Sequence, residues 1–217
     1  MEVTDIIPIF ERPDFNATNT TSCFFGLPHP KRDIIYSLNE NGTGCVCEKF
    51  QIIPHAHGTH IESASHVLNE QYSIPSYLCL PLVTSILTDI NDVNSTFEQV
   101  TFVILKSDFD SNGFDASIIP KLLHYFPNLR ILGTNKQSFD PEYDNGLLSF
   151  HRSYFAARPK NFLVELLNLQ DERIEIKKEY YCLLNPYFIS ECTDALPCSP
   201  VLIPSSLSQI FPRPDGS

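Results

Sequence analysis

Short apolar runs, separated by polar and turn-forming residues, recur along the chain. Many of these runs end at proline, asparagine or glycine, and continuous runs of this kind are typical of strands buried in a sheet. The predicted strands span residues 6–10, 23–25, 34–36, 46–53, 80–90, 100–105, 129–132, 180–184 and 201–203.

Three segments have the pattern of helices instead. The apolar residues of 117–126 form one stripe at helical spacing, and Pro127 with Asn128 ends that segment. Segments 147–157 and 171–178 are the other two predicted helices. The order of strands, helix, strand, helix and strands predicts an α/β fold with a mixed sheet.

The length of 217 residues is enough to bury a core, and no shift in composition divides the chain. We therefore expect a single domain over residues 1–204. Residues 205–217, which contain Pro212, Pro214 and Gly216, are expected to form a flexible tail. The acidic first residues lack the pattern of a signal peptide, and no apolar stretch reaches transmembrane length, so we expect a cytoplasmic protein.

The net charge of the chain is −11, and its 15 lysines and arginines are scattered rather than clustered. Nucleic acids and anionic membranes attract basic surfaces, so both are poor candidate partners. The expected partner is a small-molecule substrate.

One window of twelve residues, HAHGTHIESASH, differs from the rest of the chain. It runs from His55 to His66 and contains four of the seven histidines and one glutamate. Imidazole and carboxylate are ordinary ligands of zinc and manganese, and a site with one open position becomes hydrolytic. The window predicts a metal site, against the alternative of a histidine-rich solvated loop.

The spacing within the window favours convergence on one ion. His60 and Glu62 are two residues apart, so both side chains leave the same face of an extended segment. His66 follows Glu62 by four residues, which is one helical turn. Gly58 allows a backbone conformation or a close approach that a side chain would block.

The pattern H-x-x-G-T-H-x-E-x-x-x-H resembles the metal motif of the kynurenine formamidase-like family, also called the metal-dependent cyclase family, whose usual form is H-x-G-T-H-x-D-x-P-x-H. Four downstream blocks also resemble those of the family and follow in the same order. They are GTNKQSFDP at 133–141, HR at 151–152, ELLNL at 165–169 and DALP at 194–197.

The resemblance implies a mixed, partly barrel-like sheet flanked by helices, and a homodimeric hydrolase of amide-type bonds with one or two zinc or manganese ions. It implies that His66 transfers protons. The implied ligands are His55, His60 and Glu62 for one ion, with His151 and Glu165 completing a second site that Glu62 bridges.

Some implied residues have alternatives. The family histidine two residues before the glycine is Ala56 here, so His55 is the expected substitute and His57 the alternative. His151 could be a hydrogen-bonded core histidine. Glu165 could face water on a helix, although a buried carboxylate in its apolar surroundings would need a cation or a partner.

Phe24 and Phe25 precede the window and are candidates for an aromatic wall of the substrate pocket, with core packing as the alternative. Three departures from the family pattern leave the number of ions open. Glu62 replaces an aspartate, the loop after it lacks a proline, and Asn135 replaces an acidic residue.

The sequence therefore predicts a metal-dependent hydrolase that cleaves an amide, formamide or lactam C–N bond, similar to kynurenine formamidase or isatin hydrolase. The rival hypothesis is a non-catalytic metal-binding protein on the same fold. A site with every coordination position filled by protein would favour the rival.

Overall fold

The computed structural model describes residues 6–15, 26–75, 78, 81–108, 113–187 and 193–206. The predicted strand at 23–25, with Phe24 and Phe25, lies outside these residues, as does the tail from residue 207. The chain divides into two compact units: Met1–Glu11 with Thr59–Ser217, and Arg12–Gly58. The single domain over 1–204 stays a prediction.

Eleven strands and two helices are present in the described residues. The helices are α1 (Ile119–Tyr125) and α2 (Ser149–Ala157). The strands are β1 (Ile7–Pro8), β2 (Lys31–Tyr36), β3 (Cys47–Gln51), β4 (His60–Ser63), β5 (Leu82–Leu87), β6 (Phe102–Leu105), β7 (Ile131–Thr134), β8 (Phe162–Glu165), β9 (Glu179–Leu183), β10 (Ala195–Pro197) and β11 (Val201–Pro204).

The larger unit contains a nine-stranded mixed sheet in the order β1-β11-β9-β5-β6-β7-β8-β4-β10. Strands β5 to β8 are parallel neighbours, and the strands on both sides of them pair antiparallel. The sheet curls into a half-barrel. The predicted α/β fold with a mixed, partly barrel-like sheet flanked by helices is confirmed.

Two apolar layers cover the two faces of this sheet. Phe102 and Ile104 of β6 belong to one layer, whereas Val103 and Leu105 belong to the other, in which both helices pack. Alternate side chains of a strand point to opposite faces, so a strand buried on both faces must be apolar throughout. This is why the parallel strands appear in the sequence as continuous apolar runs.

The predicted helix over 171–178 is wrong, because these residues form a loop with two turns. The carboxylate of Asp171 accepts hydrogen bonds from the backbone N–H of Arg173 at 3.0 Å and from its side chain at 2.8 Å. Lys177 has a left-handed backbone with φ 64°. Local side-chain bonds to the backbone compete with helix formation, and a left-handed residue ends it.

The smaller unit contains the antiparallel hairpin of β2 and β3. Its connection is closed by the N–H of Asn39, which donates to the carbonyl of Thr43 at 2.8 Å. Every residue of β2 is exposed, including Ile34 at 62% and Tyr36 at 63%. Phe50 of β3 is also 53% exposed, so it does not belong to a core.

Among the described residues, no helix is both long and apolar enough to cross a bilayer.

Candidate metal centre

Strand β4 places His60 and Glu62 on one face of the sheet, as their spacing predicts. Both residues are completely buried, and Ile61 between them packs into an apolar layer. In the antiparallel pairing of β4 with β8, His60 lies directly opposite Glu165. Glu165 is 3% exposed, so it does not face water. The pairing brings together residues that are about a hundred positions apart in sequence.

The start of β4 is fixed by the residue before it. The N–H of Thr59 donates to the carbonyl of Glu11 at 3.2 Å, and the N–H of Cys198 donates to the carbonyl of Thr59 at 3.0 Å. The hydroxyl of Thr59 donates to the carbonyl of Leu166, directly after Glu165. The bond from Thr59 to Leu166 holds the start of β4 beside the end of β8. His60 and Glu165 therefore lie next to each other.

Helix α2 brings His151 to the same cluster, and Asp140 orients its ring. Asp140 accepts hydrogen bonds from the N–H of Phe150 at 2.5 Å, from the N–H of His151 at 3.5 Å and from Nδ1 of the His151 ring. The bond at Nδ1 directs Nε2 toward Glu62 and Glu165. A carboxylate that holds the outer nitrogen of a histidine is the usual support for a metal-binding imidazole.

Four side chains form a cluster with the donors of a metal site. One ligand atom each from His60, Glu62 and Glu165 lies within 4.8 Å of the other two. Nε2 of His60 is 3.6 Å from Oε2 of Glu165, and Nε2 of His151 is 3.4 Å from Oε1 of Glu165. Ligands about 2.1 Å from one tetrahedral ion lie about 3.4 Å apart, which matches these two separations.

One contact in the cluster is shorter than the spacing of two ligands on one ion. Nε2 of His151 and Oε1 of Glu62 are 2.5 Å apart, which is a direct hydrogen bond. Entry of an ion between these atoms would separate them.

Glu165 has a fixed orientation, since its Oε1 also accepts the N–H of Phe139 at 2.8 Å.

The charge of the cluster favours a cation. The carboxylates of Glu62, Glu165 and Asp140 are each at most 5% exposed and surround His151. Burial lowers the pKa of His151, but the charge of Glu62 and the hydrogen bonds to Asp140, Glu165 and Glu62 raise it well above its ordinary value. The same negative field would favour a divalent ion, which displaces the proton from its ligands.

Glu165 remains ionised in this environment. Burial alone would raise its pKa, but hydrogen bonds and the charges of His151 and His60 outweigh burial and hold the pKa well below the ordinary value. An ionised, buried glutamate is a suitable ligand because metal ions bind the deprotonated form. The residues therefore fit a divalent ion.

His66 lies at the edge of the cluster, in a 3₁₀ turn (Ala64–His66) that follows β4. Its Nε2 is 3.9 Å from Oε2 of Glu62, and its Nδ1 bonds Oδ1 of Asp194 at 2.9 Å. Its side chain is 25% exposed, in contrast to the buried ligands. Burial lowers the pKa of His66, but the hydrogen bond to Asp194 and the charge of Glu62 give a net rise above the ordinary value.

His55 and His57 both belong to the smaller unit. His57 is 6% exposed and uses both ring nitrogens in its own unit: Nδ1 accepts the N–H of Ile53 at 2.8 Å, and Nε2 donates to the carbonyl of Pro28 at 2.7 Å. This leaves His57 no lone pair for a metal. His55 lies in the 3₁₀ turn Pro54–Ala56, and its ligation of metal stays a prediction.

Two residues with left-handed backbone flank the cluster. Leu166, with φ 59°, directly follows Glu165, and Leu148, with φ 53°, precedes the helix of His151. A left-handed backbone is unfavourable for leucine by about 1–2 kcal/mol. Strain of this kind concentrates at functional sites, where the surrounding structure enforces it.

Two functional residues had no role in the sequence-based prediction. Asp140 and Asp194 lie in blocks that resemble the family, GTNKQSFDP and DALP, but neither has a local pattern that reveals its partner. Asp194 contacts His66 across 128 positions of the sequence, and Asp140 contacts His151 across 11 positions. The position of each aspartate in a family block was the only signal for it in the sequence.

No family model and no curated protein matches the chain. Solved structures do match it. A predicted metal-dependent hydrolase from Bacillus stearothermophilus has a TM-score of 0.64 and 17% identity over 91% of this chain and 97% of that chain. An isatin hydrolase bound to the product analogue thioisatinate has a TM-score of 0.65 and 14% identity, over 92% of each chain.

A structure described as a novel cyclase matches with a TM-score of 0.58 and 10% identity, over 91% of this chain and 86% of that chain. Hydrolases and cyclases are the proteins that the sequence motifs indicate, so the fold agrees with the resemblance. At these identities the likeness shows the fold alone.

Proposed function

We propose that this protein is a metal-dependent hydrolase that cleaves the C–N bond of an amide, a formamide or a lactam. The observation that carries the proposal is the buried cluster of His60, Glu62, His151 and Glu165, which combines imidazole and carboxylate donors in one place. The likeness of the fold to metal-dependent and isatin hydrolases supports the same reaction class.

The cofactor we propose is zinc or manganese, since both accept imidazole and carboxylate ligands. When bound, such an ion polarises a carbonyl and makes water a stronger nucleophile near neutral pH. The two oxygens of Glu62 have different neighbours, His151 at 2.5 Å and His66 at 3.9 Å. Glu62 would hold an ion together with its neighbours, and the resemblance implies that it would contribute to a second ion as well.

His66 is the proposed general acid and base. Hydrolysis adds water across the C–N bond, so one proton leaves the attacking oxygen and one proton reaches the leaving nitrogen. His66 is partly exposed and stands beside Glu62, so it can exchange protons with a substrate in the site. Asp194 holds Nδ1, which directs Nε2 toward the cluster and stabilises the protonated ring.

Metal content tests the site directly. Tag-free wild-type protein, His60→Ala and Glu62→Ala should be compared by elemental mass spectrometry after purification in zinc or manganese. We expect both variants to lose bound metal. His124→Ala is the matched control, because His124 is an exposed histidine on α1 outside the cluster, and it should keep the full complement. Full metal content in both site variants would refute the proposed ligands.

Activity tests the reaction. A panel of N-formyl aromatic amines, isatin-like lactams and cyclic imides should be assayed with the zinc-loaded and manganese-loaded protein. Hydrolysis of at least one class, lost in Glu62→Ala, is the expected result. Tight metal binding without turnover of any class would instead favour a non-catalytic metal-binding protein.

A further inference from the structure

A cavity lies at the N-terminal ends of the parallel strands, at the opposite end of these strands from the metal centre. Its volume is about 790 Å³, and its wall includes Val83, Thr101, Arg130 and Asn161. These residues stand at or just before the beginnings of the parallel strands β5, β6, β7 and β8. Glu165 ends β8, and four residues of strand span about 13 Å, so the cavity is separate from the metal centre.

Backbone and amide hydrogen bonds fix the wall of this cavity. Nδ2 of Asn161 donates to the carbonyl of Leu129 at 2.8 Å, and the N–H of Asn161 donates to the carbonyl of Arg158 at 3.0 Å. The N–H of Arg130 donates to the carbonyl of Thr101 at 2.9 Å. The backbone carbonyls of Arg158 and of Leu129, the neighbour of Arg130, are therefore both held by the buried residue Asn161. A rigid wall and a volume of this size are typical of a preformed small-molecule site.

The side chains of Arg130 and Arg158 differ from other arginines of the protein. Arg32 and Arg173 form ion pairs, and Arg152 donates to two backbone carbonyls. Within the part of the chain that the structure describes, neither arginine of the cavity forms an ion pair. In a chain with 26 acidic and 15 basic residues, two such guanidinium groups at one cavity indicate a site for an anion.

The other wall residues determine which anion suits the cavity. Glu98 and Glu179 also line it, and Glu179 accepts a hydrogen bond from Gln99 at 2.5 Å. Two carboxylates in the wall of the same cavity disfavour a multiply charged anion such as a phosphate ester. Pro81 and Leu129 supply an apolar surface. We propose that this cavity binds a small organic carboxylate with an apolar body, through the guanidinium groups of Arg130 and Arg158.

Benzoate is a suitable probe, with benzamide as its uncharged analogue of the same shape. Calorimetric titration of the wild-type protein should show saturable binding of one benzoate per chain and weaker binding of benzamide. We expect Arg130→Gln and Arg158→Gln each to weaken benzoate binding about 10- to 100-fold, because each variant removes a charged hydrogen-bond donor. Arg173→Gln, which alters an arginine outside the cavity, should bind benzoate like the wild type.

Binding at the metal centre gives a different result. Glu62→Gln would change the affinity for benzoate in that case, whereas the cavity site predicts no change. The comparison of Glu62→Gln with the wild type therefore tests the cavity separately from the proposed hydrolase site. If benzoate does not bind the wild-type protein, or binds both arginine variants as tightly as it binds the wild type, the proposal is wrong.

A second measurement requires no variant of the cavity. Phenylglyoxal modifies accessible arginines, and peptide mass spectrometry reports the extent at each position. Benzoate should slow the modification of Arg130 and Arg158 and leave that of Arg173 unchanged. Equal rates with and without saturating benzoate at all three positions would also refute the proposal.

Discussion

The substitution Asp140→Asn tests how much the hydrogen bond that orients His151 contributes to metal binding, because it leaves the proposed ligand His151 in place. Asp140 does not belong to the proposed ligand set, yet it holds Nδ1 of His151 and accepts the N–H of Phe150 at 2.5 Å. An asparagine of the same size can accept only through its oxygen, so it cannot serve Phe150 and His151 as the carboxylate does. His151 then loses the bond that fixes the direction of Nε2.

The expected loss follows from the role of such carboxylates at metal sites. Removal of the partner of a metal-binding histidine lowers metal affinity about 10- to 100-fold, which corresponds to about 1.4–2.7 kcal/mol. The metal-free protein should also lose about 1–3 kcal/mol of stability, because charged hydrogen bonds at the start of α2 are removed. The two effects are measured by chelator competition and by thermal unfolding of the metal-free protein.

Asp144→Asn is the matched control. Asp144 also serves the start of α2, where its Oδ2 accepts the N–H of Ser149 at 2.8 Å and the hydroxyl of Ser149 at 3.0 Å, but no bond to His151 is described for it. The control should lower stability, because it weakens the bonds to Ser149, and should leave metal affinity within about twofold of the wild type. If both variants lose metal affinity equally, the effect comes from the helix and the proposed role of Asp140 is wrong.

Three further predictions concern other parts of the molecule. His66→Ala should lower turnover by about 10²- to 10⁴-fold with metal content intact, and loss of metal would instead make His66 a ligand. Gly133→Ala should destabilise the protein by about 1–3 kcal/mol in urea unfolding, because an added Cβ would lie 2.8 Å from a ring carbon of Phe102, and unchanged stability would contradict this. We expect the wild-type protein to be a homodimer in light scattering. The double variant Ile34→Asp and Tyr36→Asp should be a monomer, because it replaces two exposed apolar side chains that could pack against a second copy. A monomeric wild type would contradict this prediction.

The local part of the metal centre could be predicted from the sequence. The period of two along a strand places His60 and Glu62 on one face whatever the rest of the chain does, and β4 has this arrangement. The backbone conformation between Glu62 and His66 was predicted less accurately. The spacing of four residues indicated a helical turn, whereas the chain leaves β4 and enters a 3₁₀ turn. Both paths bring His66 near Glu62, so the contact was predicted for a partly wrong reason.

The distant part could not be predicted from local pattern. Glu165 meets His60 because β8 pairs with β4 in one particular register, and the local apolar pattern of neither strand predicts that register. Strands β8 and β10 have four and three residues, too few for an alternation of apolar and polar residues to identify their pairing. Only the resemblance of blocks along the whole chain indicated that His151 and Glu165 join the window of histidines.

The cluster combines several unfavourable features at one edge of the sheet, and this combination is itself an argument for a bound cation. Three buried carboxylates surround His151, and left-handed leucines precede its helix and follow Glu165. Each feature opposes folding, by about 1–2 kcal/mol for each left-handed leucine and by more for buried like charges. A divalent ion at His60, Glu62 and Glu165 would turn the repulsion among the carboxylates into attraction and would stabilise only the folded chain. Strain that fixes the donors before the ion arrives has a further effect, because donors already in place lose little freedom when they bind.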